Sequence, residues 1–144
     1  MTQTATISYL LGGASVLRTN VRGAADLESA VLHGLPAAAV RALAEHTMSS
    51  LSLLQEVTHL DKSTFRRRER TKARLRPDES DRLVRVARIA ALSAEAMGAE
   101  DGIAWLHEPN TALGNRVPLR MLETEVGARL VEDVLMRIQH GVYS

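Results

Sequence analysis

The sequence predicts an all-α protein, and three observations indicate this class. The apolar residues are mostly Ala, Leu and Val, and the chain has only one Phe, one Trp and two Tyr. Alanine-rich, aromatic-poor sequences favour packed helices over sheets. From Ala24 onward, apolar residues recur at helical spacing, and glycines and prolines fall where helices end or begin. No segment of the sequence alternates with the period of two that a half-buried strand shows.

Composition limits the function classes. The chain has 144 residues, of which 45% are hydrophobic and 24% charged, enough for one or two small domains. It has no cysteine, which excludes disulfide and cysteine–metal frameworks and fits a reducing compartment. No apolar run approaches the roughly 18 residues of a membrane span, and no basic segment precedes SYLLGGASVL as in a secretory signal. We therefore expect a cytoplasmic protein without membrane association.

The N-terminal arm, residues 1–23, is the least readable part of the chain. Gly12, Gly13 and Gly23 interrupt any apolar period. We expect this arm to dock on folded protein, and contacts within a dimer are one way to do so.

Three helices follow the arm. AADLESAVLHG ends at Gly34, LPAAAVRALAEHT opens with Pro36, and SSLSLLQEVTH has Ser49 or Ser50 as its N-cap. The residues predicted to face inward are Leu27, Val31, Leu32, Val40, Leu43, Leu51, Leu54 and Val57.

The second half of the chain continues the helical pattern. Asp61 caps LDKSTFRRRERTKARL, and the long helix after Pro77 ends at Gly98. A short helix EDGIAWLH, the loop EPNTALGNRVP and a turn PLRML follow. Thr124 caps the last helix, EVGARLVEDVLMRIQH, which ends at Gly141. Its predicted apolar stripe is Leu130, Val134, Leu135 and Ile138.

Charge is unevenly distributed, although the net charge is only +1. Residues 62–88 contain 11 basic and 4 acidic groups, a net charge of +7. Residues 1–61 have a net charge of −2, and residues 89–144 of −4. A basic block between acidic flanks suggests contact with nucleic acid in the centre and with protein at the C-terminal end.

The basic block has the form of a helix-turn-helix, in which two short helices flank a tight turn. At about 100° per residue, a buried Phe65 places Ser63, Arg67, Arg70 and Arg74 on the opposite, outer face. Guanidinium groups pair with phosphates and guanine edges, so this face suits the major groove. Arg66, Arg68 and Lys72 would flank it and contact phosphates. The predicted DNA-binding residues are Lys62, Ser63, Thr64, Arg66, Arg67, Arg70 and Arg74.

Two alternatives stay open for this face: a solvated basic surface, and a surface that binds an acidic partner. The turn itself is expected to be atypical, because His59 stands where such turns often have glycine.

The C-terminal part closely resembles the toxin-binding domain of Xre/MbcA/ParS-type antitoxins, and the preceding basic region resembles the helix-turn-helix of the same family. The matching features are Trp105-Leu106, Pro109-Asn110, Ala112-Leu113-Gly114, Pro118, Met121-Leu122, Thr124-Glu125, Gly127-Ala128 and the terminal RIQHGVYS. Together the two regions cover roughly residues 50–144. The predicted organisation is an arm (1–23), a helix-turn-helix region (24–88) and a small helical toxin-binding domain (89–144).

The resemblance implies the antitoxin of a type II toxin–antitoxin pair. Its partner would be a RES-domain toxin that consumes NAD, and its DNA ligand would be its own promoter, which it would repress. The family also implies a homodimer within a larger toxin complex. A different reading is a stand-alone helix-turn-helix regulator whose C-terminal domain only dimerises, and a third is a scaffold protein.

By the same resemblance, the C-terminal segment would reach the toxin active site and obstruct it. The residues assigned to this contact are Arg137, His140, Gly141, Val142, Tyr143 and Ser144. The alternative is a helix cap in which Val142 and Tyr143 fold back onto the last helix.

The sequence offers no sign of catalysis. The five histidines are scattered without metal-ligand spacing, and no phosphate-binding loop or nucleophile–base pair is present. We expect no enzyme activity, no cofactor and no metal.

Overall fold

The computed structural model describes residues 2–141, and within them the predicted all-α class is confirmed. No β-strand forms in this range; two isolated bridges join Pro36 to Arg74 and Asn110 to Arg116. The α-helices are α1 (Gln3–Leu10), α2 (Gly13–Leu17), α3 (Ala24–His33), α4 (Ala38–His46), α5 (Leu51–Thr58), α6 (Lys62–Thr71), α7 (Pro77–Met97), α8 (Ala99–Leu106) and α9 (Glu125–Gln139). Two 3-10 helices, Thr111–Leu113 and Pro118–Glu123, lie between α8 and α9.

Helix α7 is the central element. It packs against α1, α3, α5, α8 and α9, and its inward side includes Leu83, Val86, Ile89 and Leu92. Pro77 occupies its first turn and Gly98 ends it, as the sequence predicts. Because α7 runs past residue 88, the predicted helix-turn-helix region and toxin-binding domain share one rigid helix. No helix among residues 2–141 is long and apolar enough to cross a membrane.

The N-terminal arm folds into α1 and α2 and docks on the rest of its own chain. Ile7, Leu10, Leu11 and Leu17 are buried, and α1 contacts both α7 and α4. Burying an aliphatic side chain stabilises a fold by about 1.5–3 kcal/mol, so these four explain the arm's order without a second copy of the chain. The sequence did not reveal these helices, because Gly12 and Gly13 break the period between them.

The predicted caps form. The hydroxyl of Ser50 accepts the backbone N–H of Leu53 at 3.0 Å, and the hydroxyl of Thr124 accepts that of Gly127 at 2.9 Å. Asp61 caps α6 in the same way through Thr64. Each such bond satisfies a free N–H at a helix start, which stabilises the helix by about 1 kcal/mol.

Two predicted apolar faces differ from the structure. Helix α3 is peripheral, and Leu32, predicted to face inward, is 66% exposed. On α9 the buried side is centred on Val131 and Leu135, whereas Leu130 is 44% exposed. The stripe assignment for Leu130 is therefore wrong, because at about 100° per residue it lies a quarter-turn away from the Val131 direction.

Candidate nucleic-acid and partner interfaces

Helices α5 and α6 form the predicted helix-turn-helix. Three residues separate them, and Leu60 in this turn is buried. His59 has φ 57° and ψ 42°, the left-handed conformation for which glycine is usually preferred. The turn therefore has the geometry that a glycine would give, and the atypical turn expected from His59 does not occur.

The two faces of α6 differ in how their charges are satisfied. Phe65 is 2% exposed and marks the inner face, as predicted. Beside it, Arg68 donates to Glu79 at the start of α7, and Glu69 accepts from Arg41 of α4. The inner charges thus fix α6 to its neighbours. Arg68 does not flank the outer face, contrary to the sequence interpretation.

The outer face holds Ser63, Arg66, Arg67 and Arg70, all exposed. Among residues 2–141 none of these three arginines has an ion-pair partner. Lys62 is also exposed and unpaired within the same range. Their guanidinium and ammonium groups are available to an external anion, and the fold places them side by side.

The start of α6 is organised around Asp61. Its carboxylate accepts hydrogen bonds from the hydroxyls of Ser63, at 2.7 Å, and Thr64, at 3.0 Å. These bonds and the Thr64 N–H bond hold the pKa of Asp61 below its usual value. Ser63 and Thr64 therefore help to form the helix cap, whatever else they contact.

Arg74 is not on the helix, which corrects its predicted place on the outer face. Helix α6 ends at Thr71 because Lys72 adopts the left-handed conformation, with φ 59°. Arg74 lies in the following extended segment, where its guanidinium donates to the carbonyl of Gly34 at 2.9 Å. It remains exposed beside α6, but it is not aligned with Arg67 and Arg70.

The turn of the helix-turn-helix contacts the C-terminal part of the chain. His59 Nε2 lies 2.9 Å from a carboxylate oxygen of Glu123 in the second 3-10 helix. Arg82 of α7 donates to the carbonyl of Thr58, at 2.7 Å. Sequence reasoning did not predict either contact, because the partners are far apart in the chain.

The C-terminal candidate site begins on the last turn of α9. Arg137, His140 and Gly141 are exposed, and Gly141 has a positive φ of 68°. The predicted site residues Val142, Tyr143 and Ser144 lie outside the described residues.

The outer side of α9 also presents apolar groups that the sequence analysis missed. Val126 is 71% exposed and Leu130 44% exposed. At about 100° per residue these two share a face with Arg137. We call Val126, Leu130 and Arg137 the outer face of α9.

Polar contacts hold α9 on α7. Arg85 donates to the carbonyl of Leu122 and lies 3.3 Å from a carboxylate oxygen of Glu125, and Arg88 donates to Glu132 at 3.1 Å. These pairs keep the helix fixed, so its outer face has a defined orientation.

Comparison with protein families matches both parts of this arrangement to antitoxin domains. Residues 26–88 match the antitoxin Xre-like helix-turn-helix domain, and residues 94–141 match the antitoxin Xre/MbcA/ParS C-terminal toxin-binding domain. The chain belongs to the Xre-type antitoxin family. The helix-turn-helix match contains α5 and α6, and the second match contains α8 and α9. The N-terminal arm, which contains α1 and α2, lies outside both matched regions.

Curated relatives share the family name. An "Antitoxin Xre" of Yersinia enterocolitica is 36% identical over 89 residues, which cover 60% of either chain. One of Pseudomonas putida is 44% identical over 66 residues, which cover 44% of this chain and 41% of the relative. One of Photorhabdus laumondii is 28% identical over 120 residues, which cover 82% of this chain and 81% of the relative. This chain thus spans less than two thirds of the first two relatives.

Proposed function

We propose that this chain is an antitoxin that neutralises a cognate NAD-consuming RES-domain toxin by direct binding and represses its own operon through α6. The family membership supports the general role of antitoxin. The assignment of a RES-domain toxin as the partner rests on the resemblance of the C-terminal part to the toxin-binding domain of this family. The observation that carries the DNA-binding part is the outer face of α6, where Arg66, Arg67 and Arg70 have no partner among the described residues.

DNA binding follows from the chemistry of that face. In a helix-turn-helix the second helix enters the major groove, where arginine pairs bidentately with guanine and contacts phosphates. The inner ion pair of Arg68 with Glu79 holds α6 in position. Helix-turn-helix proteins commonly bind paired half-sites as dimers, so we propose a homodimer within the toxin complex.

Toxin binding is assigned to the C-terminal end of the chain. Arg137, His140 and Gly141 are exposed there, and we propose that Val142 to Ser144 continue the contact and obstruct the toxin active site. The exposed apolar side chains of Val126 and Leu130 favour a protein partner on the same helix. The net charge of −4 in residues 89–144 disfavours nucleic acid at this end.

The test of DNA binding is a comparison of two double variants that lose the same charge. The probe is a duplex covering the region upstream of the chain's own reading frame. Arg67→Ala/Arg70→Ala should weaken binding and lower the salt slope by about 1.8, since each phosphate contact contributes about 0.9. Arg120→Ala/Arg129→Ala removes two exposed arginines from the C-terminal part and should bind as the wild type does. Equal binding by all three proteins would contradict the assignment to α6.

The test of toxin binding removes residues 142–144. The truncated chain should form a weaker complex with the proposed RES-domain toxin, and should protect cellular NAD less well. Unchanged affinity and protection would remove the segment from the mechanism. If the full-length chain forms no toxin complex but still binds its promoter, the stand-alone regulator is the correct function.

A further inference from the structure

Three basic side chains from two distant parts of the chain meet at the C-terminal end of α6. A cleft of about 320 Å³ there is lined by Arg18, Lys72 and Arg74, together with the start of α4. A neighbouring cleft of about 460 Å³ is also lined by Arg18 and Arg74. These two arginines therefore lie at the border between the clefts, and both are exposed.

The backbone fixes each of the three residues. Arg18 ends α2 in the left-handed conformation, with φ 60°, directly after the buried Leu17. Lys72 ends α6 with φ 59°. The guanidinium of Arg74 is held by the carbonyl of Gly34, at 2.9 Å. The basic groups are thus held close together by the end of α2 and by the segment that follows α6, which are more than fifty residues apart in sequence.

Charge at this surface is predominantly positive. Arg18, Lys72 and Arg74 have no ion-pair partner within residues 2–141. Two carboxylates line the clefts, and that of Glu69 is already paired with Arg41. The other, Asp26, accepts the backbone N–H of Arg22 at 2.9 Å. Three cations thus face one carboxylate that has no cationic partner in the described part of the chain.

This basic surface lies at the C-terminal end of α6, because Lys72 directly follows the helix. A ten-residue helix is about 15 Å long, whereas the major groove is about 12 Å wide. A helix lying in the groove therefore brings one of its ends close to a phosphate backbone. We propose that Arg18, Lys72 and Arg74 bind the DNA phosphate backbone beside the α6 site, so that the N-terminal arm extends the DNA interface. This inference rests on the proposed DNA binding.

The expected signature is affinity without sequence preference, because phosphate contacts position a protein but do not read bases. Binding of the full-length chain is measured against salt concentration on its upstream duplex and on an unrelated duplex of equal length. Arg18→Gln should lower the salt slope by about 0.9, and Arg18→Gln/Arg74→Gln by about 1.8. Each variant should lose affinity by the same factor on the upstream duplex as on the unrelated duplex.

The matched control is Arg129→Gln, which removes an exposed arginine of α9 that belongs to neither proposed interface and should keep the wild-type slope. A wild-type slope for Arg18→Gln and for the double variant overturns the proposal. If Arg74→Gln disturbs folding, as thermal unfolding would show, Arg18→Gln alone decides. If Arg67→Ala/Arg70→Ala loses DNA affinity while Arg18→Gln keeps the wild-type slope, only this inference is overturned. Absence of binding by the wild type overturns the proposed function as well.

Discussion

Arg68 on the inner face of α6 donates a hydrogen bond to Glu79 in the first turn of α7, and both side chains are largely buried. Glu79 also accepts the backbone N–H of Arg76, at 2.8 Å, and so caps α7. One carboxylate thus fixes the start of the central helix and the orientation of the helix that presents Arg67 and Arg70. The orientation of the outer face of α6 therefore depends on this buried contact.

Replacing Glu79 with Gln should therefore lower the free energy of unfolding by about 3 kcal/mol, since it leaves the largely buried guanidinium of Arg68 without a counter-charge. Urea unfolding measures this. The control is Glu123→Gln, which alters the exposed contact with His59 and should cost less than about 1 kcal/mol. Equal effects of the two substitutions would show that the inner pair does not hold α6.

Gly127→Ala should destabilise the C-terminal part. A Cβ at this position would lie 2.0 Å from the carbonyl oxygen of Met121, so α9 must move away from the 3-10 helix. Overpacking of this kind costs about 1–3 kcal/mol. Gly23→Ala is the control, because its Cβ meets no atom within 4 Å and its backbone is extended. Similar thermal unfolding of Gly127→Ala and the wild type would contradict the close approach.

Acid should weaken the fold through Asp78. Arg76 donates two hydrogen bonds of 3.0 Å to its carboxylate, and this pairing lowers the pKa of Asp78 from 3.8 to about 2. Because the folded-state pKa is the lower one, the contribution is complete above pH 3.8 and is lost as the pH falls towards 2. In that window Asp78→Asn should lose stability less steeply than the wild type in urea unfolding. Asp81→Asn, which removes an exposed carboxylate without an ion pair among the described residues, should keep the wild-type decline.

The outer face of α9 should be required for toxin binding but not for folding. Val126→Asp/Leu130→Asp places charges where apolar side chains are exposed, so the affinity for the proposed RES-domain toxin should fall at least about tenfold while the unfolding temperature stays the same. Titration calorimetry of the purified partners measures this affinity. Leu32→Asp on α3 makes the same change elsewhere and should bind normally. Wild-type affinity of the double variant would place the toxin on another surface.

Local signals predicted much of this fold. The caps at Ser50, Asp61 and Thr124 and the inward Phe65 follow from residue type and spacing over one or two turns. The class of the fold and the helix-turn-helix followed from the same short-range patterns.

Long-range contacts were not predictable in the same way. Arg74 leaves the helix because Lys72 adopts a left-handed conformation that neither glycine nor proline marks, and its partner Gly34 is 40 residues away. Arg68 lies about 60° from Phe65 around α6, so its inward side follows from spacing, but its partner Glu79 follows only from the fold. Arg18 was missed because the helices of the arm pack mainly against α7 and α4, which the sequence does not reveal.

The central claim is that toxin neutralisation and DNA binding occur on separate surfaces of one chain. The most direct measurement is the NAD content of cells that express the proposed RES-domain toxin together with Arg67→Ala/Arg70→Ala. We expect NAD to stay at the level seen with the wild-type chain, although the variant binds its promoter more weakly. NAD depletion with the variant present in folded form and normal amount would contradict the separation of the two surfaces.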